Sequence, residues 1–436
     1  MVTLRKWTYS NSNELLYTAK LTNGLQIFLL PKKDFKESSC TLVSFFGSLD
    51  TKLTVSGRVK RYPEGAAHFL EHKLFEDEQG KDTALTFSKN GAYSNAFTTF
   101  DKTCFYFSTA DFLEKNLQLL QKFTLSTSFT EQSIKKEKDI ILQEITMYQD
   151  DADYRLYQGI LQNLYPKTPL ASDIVGTKES LNQISVKNLR ELHSIFYHPR
   201  NMALVAVGNF KPYRIFKSIQ ENQENLTLKR QPLVFKSQLS YYPVIKTKSV
   251  TMNLSVPKLA VGYRGRKPAI SHSLLQQKIA LRLFFTMLFG LTSSTYQSWY
   301  EEGRIDDSFI IEVEMHPEFQ FVLLTLDTKE PIAMSNKIRQ KIKQFKQETD
   351  FSESHLGLVK RELYGEFLKS LDSSASLSDR FAAELPLQSL KENYLSIPDI
   401  LNRLDLKTVM AVGENFLSGA QASDFTIFPN VPLSMM

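Results

Sequence analysis

Ala66-Ala67-His68-Phe69-Leu70-Glu71-His72-Lys73-Leu74-Phe75 is the stretch on which the reading of this chain turns. Its apolar residues recur at helical spacing, and Ala, Leu and Glu favour a helix. Residues three and four apart share one helix face, so His68, Glu71 and His72 project together. Two imidazoles four apart can hold one metal ion, and a carboxylate between them can reach a water on that ion. The order is H-x-x-E-H, the reverse of H-E-x-x-H. The bland alternative is a helix face carrying two ordinary histidines. With 7 His in 436 residues, composition alone yields such a match roughly 1% of the time.

A catalytic zinc site has three protein ligands and one open position, so a third ligand must come from elsewhere. Glu131 to Asp150 reads as a helix with an apolar stripe of Ile134, Ile141, Ile145 and Tyr148. Glu137 and Glu144 stand two turns apart at the edge of that stripe. A carboxylate facing a core is costly unless it is paired or metal-bound. One glutamate on zinc, with the other hydrogen-bonded to a ligand histidine, satisfies both. Snorkelling surface glutamates are the alternative. His193, His198, His272, His316 and His355 show no ligand spacing, and surface or core roles are expected for them.

The length of 436 residues suits two to four domains. An apolar fraction of 42% with 31 Phe and 18 Tyr allows sizeable cores and argues against extended disorder. Net charge is +6, from 53 basic and 47 acidic residues, with no basic run or basic-aromatic stripe, so nucleic acid is not an expected partner. Cys40 and Cys104 lie outside any CxxC or Cys/His pattern and read as small core residues of a protein from a reducing compartment. Met1 to Leu15 is polar, without the apolar core of a signal peptide. The apolar stretch around Leu283 to Leu291 is about half the length that crosses a bilayer. A cytoplasmic protein without a membrane partner is the expectation.

Strands are expected around Leu21 to Pro31, with Asn23-Gly24 as a tight turn, and at Thr41 to Phe46, Tyr93 to Phe97, Thr103 to Ser108 and Met202 to Val207. Helices are expected at Leu113 to Phe123 and Glu131 to Asp150. The two halves look related. Leu181 to Lys187 reads LNQISVK and Leu401 to Lys407 reads LNRLDLK, each opening a helix that leads into an apolar strand. KKEKDIILQEI from Lys135 has a weaker echo in VKRELYGEFL from Val359. A repeat this long suggests duplication of a whole domain. The expected division is residues 1–220, a polar connector at 221–245, and 246–436. One zinc per chain is expected, because LFFTMLFG from Leu283, where a second zinc helix would fall, is apolar.

These residues resemble the pitrilysin/insulinase family of metallopeptidases, the inverzincins. In that family H-x-x-E-H is followed seventy to eighty residues later by a glutamate zinc ligand, with an acidic residue seven positions before it. Here HFLEH is followed by KEKDIILQE. The resemblance implies His68, His72 and Glu144 as zinc ligands, Glu71 as general base, and Glu137 as the carboxylate supporting a ligand. Gly91 to Thr98, GAYSNAFT, resembles the family's edge strand, which implies that Asn95, Ala96 and Phe97 hold a peptide as an added strand. Gly176-Thr177-Lys178-Glu179 and Tyr197 to Met202, YHPRNM, resemble later signatures. The wording HFLEHKLFE resembles a short bacterial, processing-peptidase-like branch.

The implied fold is α+β, with two homologous domains, each an antiparallel-rich sheet packed with helices, enclosing a chamber. The implied activity is zinc-dependent hydrolysis of unfolded peptides. The implied partners are peptide substrates and either a homologous subunit lacking the zinc motif or a second copy of the chain. The second half departs from the pattern. Family members carry an Arg and a Tyr seven apart there, whereas this chain has Tyr300 at the usual Arg position and Arg304 nearby. A non-catalytic or partner-dependent subunit is therefore the competing reading.

Overall fold

The Asn23-Gly24 turn does what its sequence suggests. Gly24 takes φ +99°, and strands Glu14–Lys20 and Gln26–Pro31 pair antiparallel across it. The computed structural model describes residues 2–77, 79–125, 127, 129–226, 231–269, 273–385 and 392–430, so Met1 and His272 lie outside the described residues. Contacts divide the chain into two units. The first comprises Met1–Thr146, Ser172–Ser237 and Lys369–Ala383; the second comprises Met147–Ala171, Gln238–Leu368 and Glu384–Met436.

The first unit is built on a seven-stranded sheet. Its order is Arg5–Tyr9, Glu14–Lys20, Gln26–Pro31, Met202–Gly208, Ser38–Ser44, Thr103–Thr109 and Ala92–Thr98. Met202–Gly208 and Ser38–Ser44 are buried at every position, which suits near-continuous apolar or small residues in central strands. Ala92–Thr98 is an edge strand, paired on one side with Thr103–Thr109. Cys40 and Cys104 are free and buried in this sheet. A separate three-stranded sheet joins Val234–Lys236, Lys52–Val55 and Arg58–Arg61.

The second unit has a five-stranded sheet in the order Thr247–Met252, Gln421–Pro429, Lys258–Arg264, Phe319–Asp327 and Ile310–His316. Its strand senses run parallel, antiparallel, antiparallel, antiparallel. Five strands of the first sheet, starting from Gln26–Pro31, follow the same sequence of senses. The LNQISVK and LNRLDLK segments sit alike as well. Ser185 caps helix Val186–Phe196 by accepting from Asn188 N–H, and Asp405 caps helix Leu406–Gly419 by accepting from Thr408 N–H. Each helix then leads into the strand that pairs parallel with the first of the five. The fold is thus α+β in two homologous halves, as the repeat suggests.

The contiguous division drawn from sequence differs from this grouping at two helices. Helix Ala152–Leu164 belongs to the second unit, where Gly159 lies so close to Phe425 that a Cβ would meet the ring at 2.3 Å. Helix Ser374–Ala383 belongs to the first, where Ser374 and Ser378 hydrogen-bond Ser39 and Thr41 at 3.1 and 2.8 Å. The connector read at 221–245 holds the end of helix Pro212–Glu224 and strand Val234–Lys236.

The helix that carries HFLEH spans Ala66–Leu74 and is buried at every residue except His72. Its start depends on a close approach of two backbones. Gly65 precedes the helix at φ +81°, and a Cβ there would stand 2.5 Å from the Val175 carbonyl oxygen. A Cβ on Gly176, at φ +83°, would in turn stand 2.8 Å from Glu64 O and 3.0 Å from Gly65 Cα. The Gly176-Thr177 pair therefore lets one backbone lie against the other, and Thr177 opens the next helix with a capping box. Gly65→Ala is expected to destabilise the chain by about 2–3 kcal/mol in denaturant titration. Gly57→Ala is the control, because Gly57 has φ +80° with nothing within 4 Å. Equal losses from the two substitutions would show that the Val175 contact does not matter.

Candidate metal centre

Helix Ala66–Leu74 brings His68, Glu71, His72 and Lys73 into a mostly buried environment, so each polar group needs a partner. The partners come from helix Glu131–Asp150 and from the edge strand. Ile134, Ile141 and Ile145 bury the expected stripe of the long helix, and Glu137 and Glu144 lie half-buried beside it.

Glu144 Oε2 stands 3.5 Å from His72 Nε2 and 3.8 Å from His68 Nε2. Among the described residues, these three side chains form the one His/Cys/Asp/Glu group whose ligand atoms all lie within 4.8 Å of one another. Tetrahedral ligand atoms about 2.1 Å from one ion stand about 3.4 Å from each other. The observed spacings are close to that, and two imidazoles with one carboxylate are a donor set suited to zinc, so the residues fit the ion. Glu137 takes the other part: its Oε1 lies 3.0 Å from His72 Nδ1. When Nδ1–H donates to that oxygen, the Nε2 lone pair is left for a metal.

Electrostatics follow from burial. Burial, aided by the nearby charge of His72, pushes the His68 pKa down to about 3, which keeps its imidazole neutral. Burial also opposes a charged His72. The Glu137 hydrogen bond and the charges of Glu71, Glu144 and Glu137 outweigh it and raise its pKa above the ordinary value. Burial pushes Glu71 up to about 7 against the opposing Thr98 hydrogen bond and the His72 charge, with Glu144 adding to the rise. For Glu137, burial is outweighed by the hydrogen bond and charge of His72 and by Lys73, so its pKa is lowered.

Two members of the site leave little signal in the local sequence pattern. Lys73 is 1% exposed and pairs with Glu76, and its Nζ lies 3.7 Å from Glu137 Oε2. A lysine at an otherwise apolar helix position is the only hint of it. Thr98 donates from Oγ1 to Glu71 Oε2 at 2.5 Å. It lies in the expected edge-strand segment, but nothing in the strand pattern singles it out.

Asn95, Ala96 and Phe97 lie on the edge strand, with Asn95 exposed. The Asn95 carboxamide is engaged locally: Oδ1 accepts from Ala96 N–H at 2.8 Å, and Nδ2 donates to Tyr93 Oη at 3.2 Å. In the second unit, Tyr300 is exposed and stacks on Tyr296, and Arg304 pairs with Glu302 and, at 3.1 Å, with Glu330. Leu283 to Gly290, LFFTMLFG, is buried apart from Thr286.

The chain is similar to known proteins over nearly its whole length. Residues 58–178 match the model described as insulinase (peptidase family M16), and residues 183–363 match that of the peptidase M16 inactive domain. A Bacillus subtilis protein named an uncharacterized zinc protease, YmfH, is 34% identical over 431 residues, covering 98% of this chain and 99% of that protein. An uncharacterized zinc protease of Rickettsia bellii is 25% identical, covering 76% of this chain and 79% of that protein. An M16-like crystal structure from Alicyclobacillus acidocaldarius matches with a TM-score of 0.88 at 28% identity, over 98% of this chain and 99% of the other. The chain belongs to the insulinase family, peptidase family M16.

Proposed function

We propose that this chain is a zinc-dependent endopeptidase acting on unfolded peptides, with one zinc held by His68, His72 and Glu144. The observation that carries the reading is the convergence of His68 Nε2, His72 Nε2 and Glu144 Oε2, with Glu71 on the same helix face as the two histidines. A zinc ion there supplies Lewis acidity toward a water molecule and the scissile carbonyl.

The chain's own groups do the rest. Glu71 takes a proton from the attacking water and hands it to the leaving amine nitrogen as the C–N bond breaks. Burial, which lifts Glu71 to about 7, makes it a stronger base than an exposed carboxylate while leaving it able to release the proton again. Glu137 fixes the tautomer and angle of His72. The peptide docks along Asn95, Ala96 and Phe97 as an added strand, an arrangement supported by the position of Ala92–Thr98 at the sheet edge. Backbone bonds then give affinity with little sequence preference. The two unbridged, buried cysteines suit a reducing compartment, and we read the location as cytoplasmic.

The purified chain should cleave a quenched unfolded peptide, lose that activity with a chelator and regain it with zinc. Protonated His72 cannot ligate, so zinc affinity and rate should both fall with falling pH and be largely lost below about pH 6. Because the His72 pKa is raised, the loss begins at a higher pH than for an isolated imidazole. Cleavage that survives removal of zinc would sink the reading. A second reading has its own support, since Arg304 is already ion-paired within its unit and Tyr300 stands at the usual Arg position. On that reading the chain is a non-catalytic or partner-dependent subunit, and cleavage appears only when a homologous subunit is added.

A further inference from the structure

Thr98 ends the edge strand Ala92–Thr98, and its hydroxyl reaches the HFLEH helix. A hydroxyl has one hydrogen to donate, so the direction of each bond around it can be worked out. Thr103 lies opposite Thr98 in the strand pair, with the two Oγ1 atoms 3.4 Å apart. The Thr103 hydroxyl donates to the Phe46 carbonyl at 2.8 Å, so its hydrogen is committed. An ionised carboxylate only accepts, so the Thr98 hydrogen goes to Glu71 Oε2 at 2.5 Å, and the longer 3.4 Å contact to Thr103 is left without a hydrogen of its own. Among the described residues, no other side chain hydrogen-bonds Glu71. One oxygen of this buried carboxylate is thus anchored, and among the described residues no side chain hydrogen-bonds the other.

We propose that Thr98 is a positioning residue: its hydroxyl anchors Oε2 of Glu71, so that Oε1 is the atom that takes the water proton and returns it to the leaving amine. This rests on Glu71 being the base, and it adds a link between docking and chemistry. The residue that orients the base is the last one of the strand along which the peptide is read to lie. An incoming strand that orders Asn95 to Thr98 also fixes the carboxylate, so a poorly docked peptide meets a misaligned base. A base free to rotate about its terminal torsion loses near-attack geometry, which costs on the order of 10- to 100-fold.

The test compares Thr98→Val, which keeps the shape without the hydroxyl, with Thr98→Ser, which keeps the hydroxyl. Zinc-loaded Thr98→Val should lose about 10- to 100-fold in kcat. Its KM should stay within about twofold and its zinc content unchanged, while Thr98→Ser stays within about threefold of wild type throughout. Wild-type kcat in Thr98→Val, or equal losses in both variants, would overturn the proposal. Glu71→Gln, assayed beside them, separates the two ideas. If it is inactive while Thr98→Val is normal, only the positioning role fails; if it is fully active, the assignment of the base itself fails. Crystal structures of both zinc-loaded valine variant and wild type give a readout independent of turnover. The Glu71 carboxylate should rotate or split into conformers in the variant, and an unmoved carboxylate would count against Thr98. Thr98→Ala replaces the valine variant if that one does not fold.

Discussion

Glu71→Gln is expected to keep one zinc per chain and to lower kcat on an unfolded peptide by about 10²- to 10⁴-fold. The glutamine has nearly the same shape and can still accept from Thr98, but it cannot take a proton from water. His68, His72 and Glu144 are untouched, so metal content should not change. Stability provides an independent sign. Burial raises the Glu71 pKa in the folded chain above its unfolded value. A carboxylate raised in this way destabilises the folded state wherever the unfolded chain would ionise it, that is, from about pH 4 upward. Removing the charge takes that penalty away, so the zinc-free variant should melt no lower than zinc-free wild type at pH 7. A variant that melts lower would contradict the burial penalty, and one that cleaves peptide at the wild-type rate would remove Glu71 from the role of base.

Glu144→Gln should lower zinc affinity by more than about 100-fold, measured by competition with a chelator. The reasoning is graded. Loss of a group that only supports a ligand typically costs about 10- to 100-fold in metal affinity, and Glu137→Gln should fall in that range. Glu144 instead faces both Nε2 atoms, and a neutral amide oxygen there offers neither the charge nor the donor strength of a carboxylate. If the two substitutions weaken zinc equally, the parts assigned to Glu137 and Glu144 are not distinct. If Glu137→Gln is the more damaging, the assignments are reversed.

Much of the site can be read from spacing. His68, Glu71 and His72 fall on one face because their separations match a helix turn, and Glu137 and Glu144 sit beside a buried isoleucine stripe because seven residues make two turns. Spacing cannot say which glutamate meets the Nε2 atoms and which meets Nδ1, since both lie on the same edge of one helix. That choice depends on how two helices cross. Thr98 and Lys73 are hidden for a similar reason, as their partners are distant in sequence or belong to the packed core.

The duplication was legible through LNQISVK and LNRLDLK, whose caps Ser185 and Asp405 start equivalent helices. The exchange of helices Ala152–Leu164 and Ser374–Ala383 between units was not. Amphipathicity shows that a helix has a buried face, but not which sheet covers it. The close packing of Gly159 on Phe425 and the Ser378–Thr41 bond are tertiary facts with no local trace.

X-ray absorption at the zinc edge, on the zinc-loaded chain and on Glu144→Gln, tests most directly whether one ion sits among three side chains. Two imidazole nitrogens and a carboxylate oxygen in the inner shell of wild type, with the oxygen contribution altered in the variant, is the expected result. A shell without histidine, or one identical in both proteins, would contradict the account.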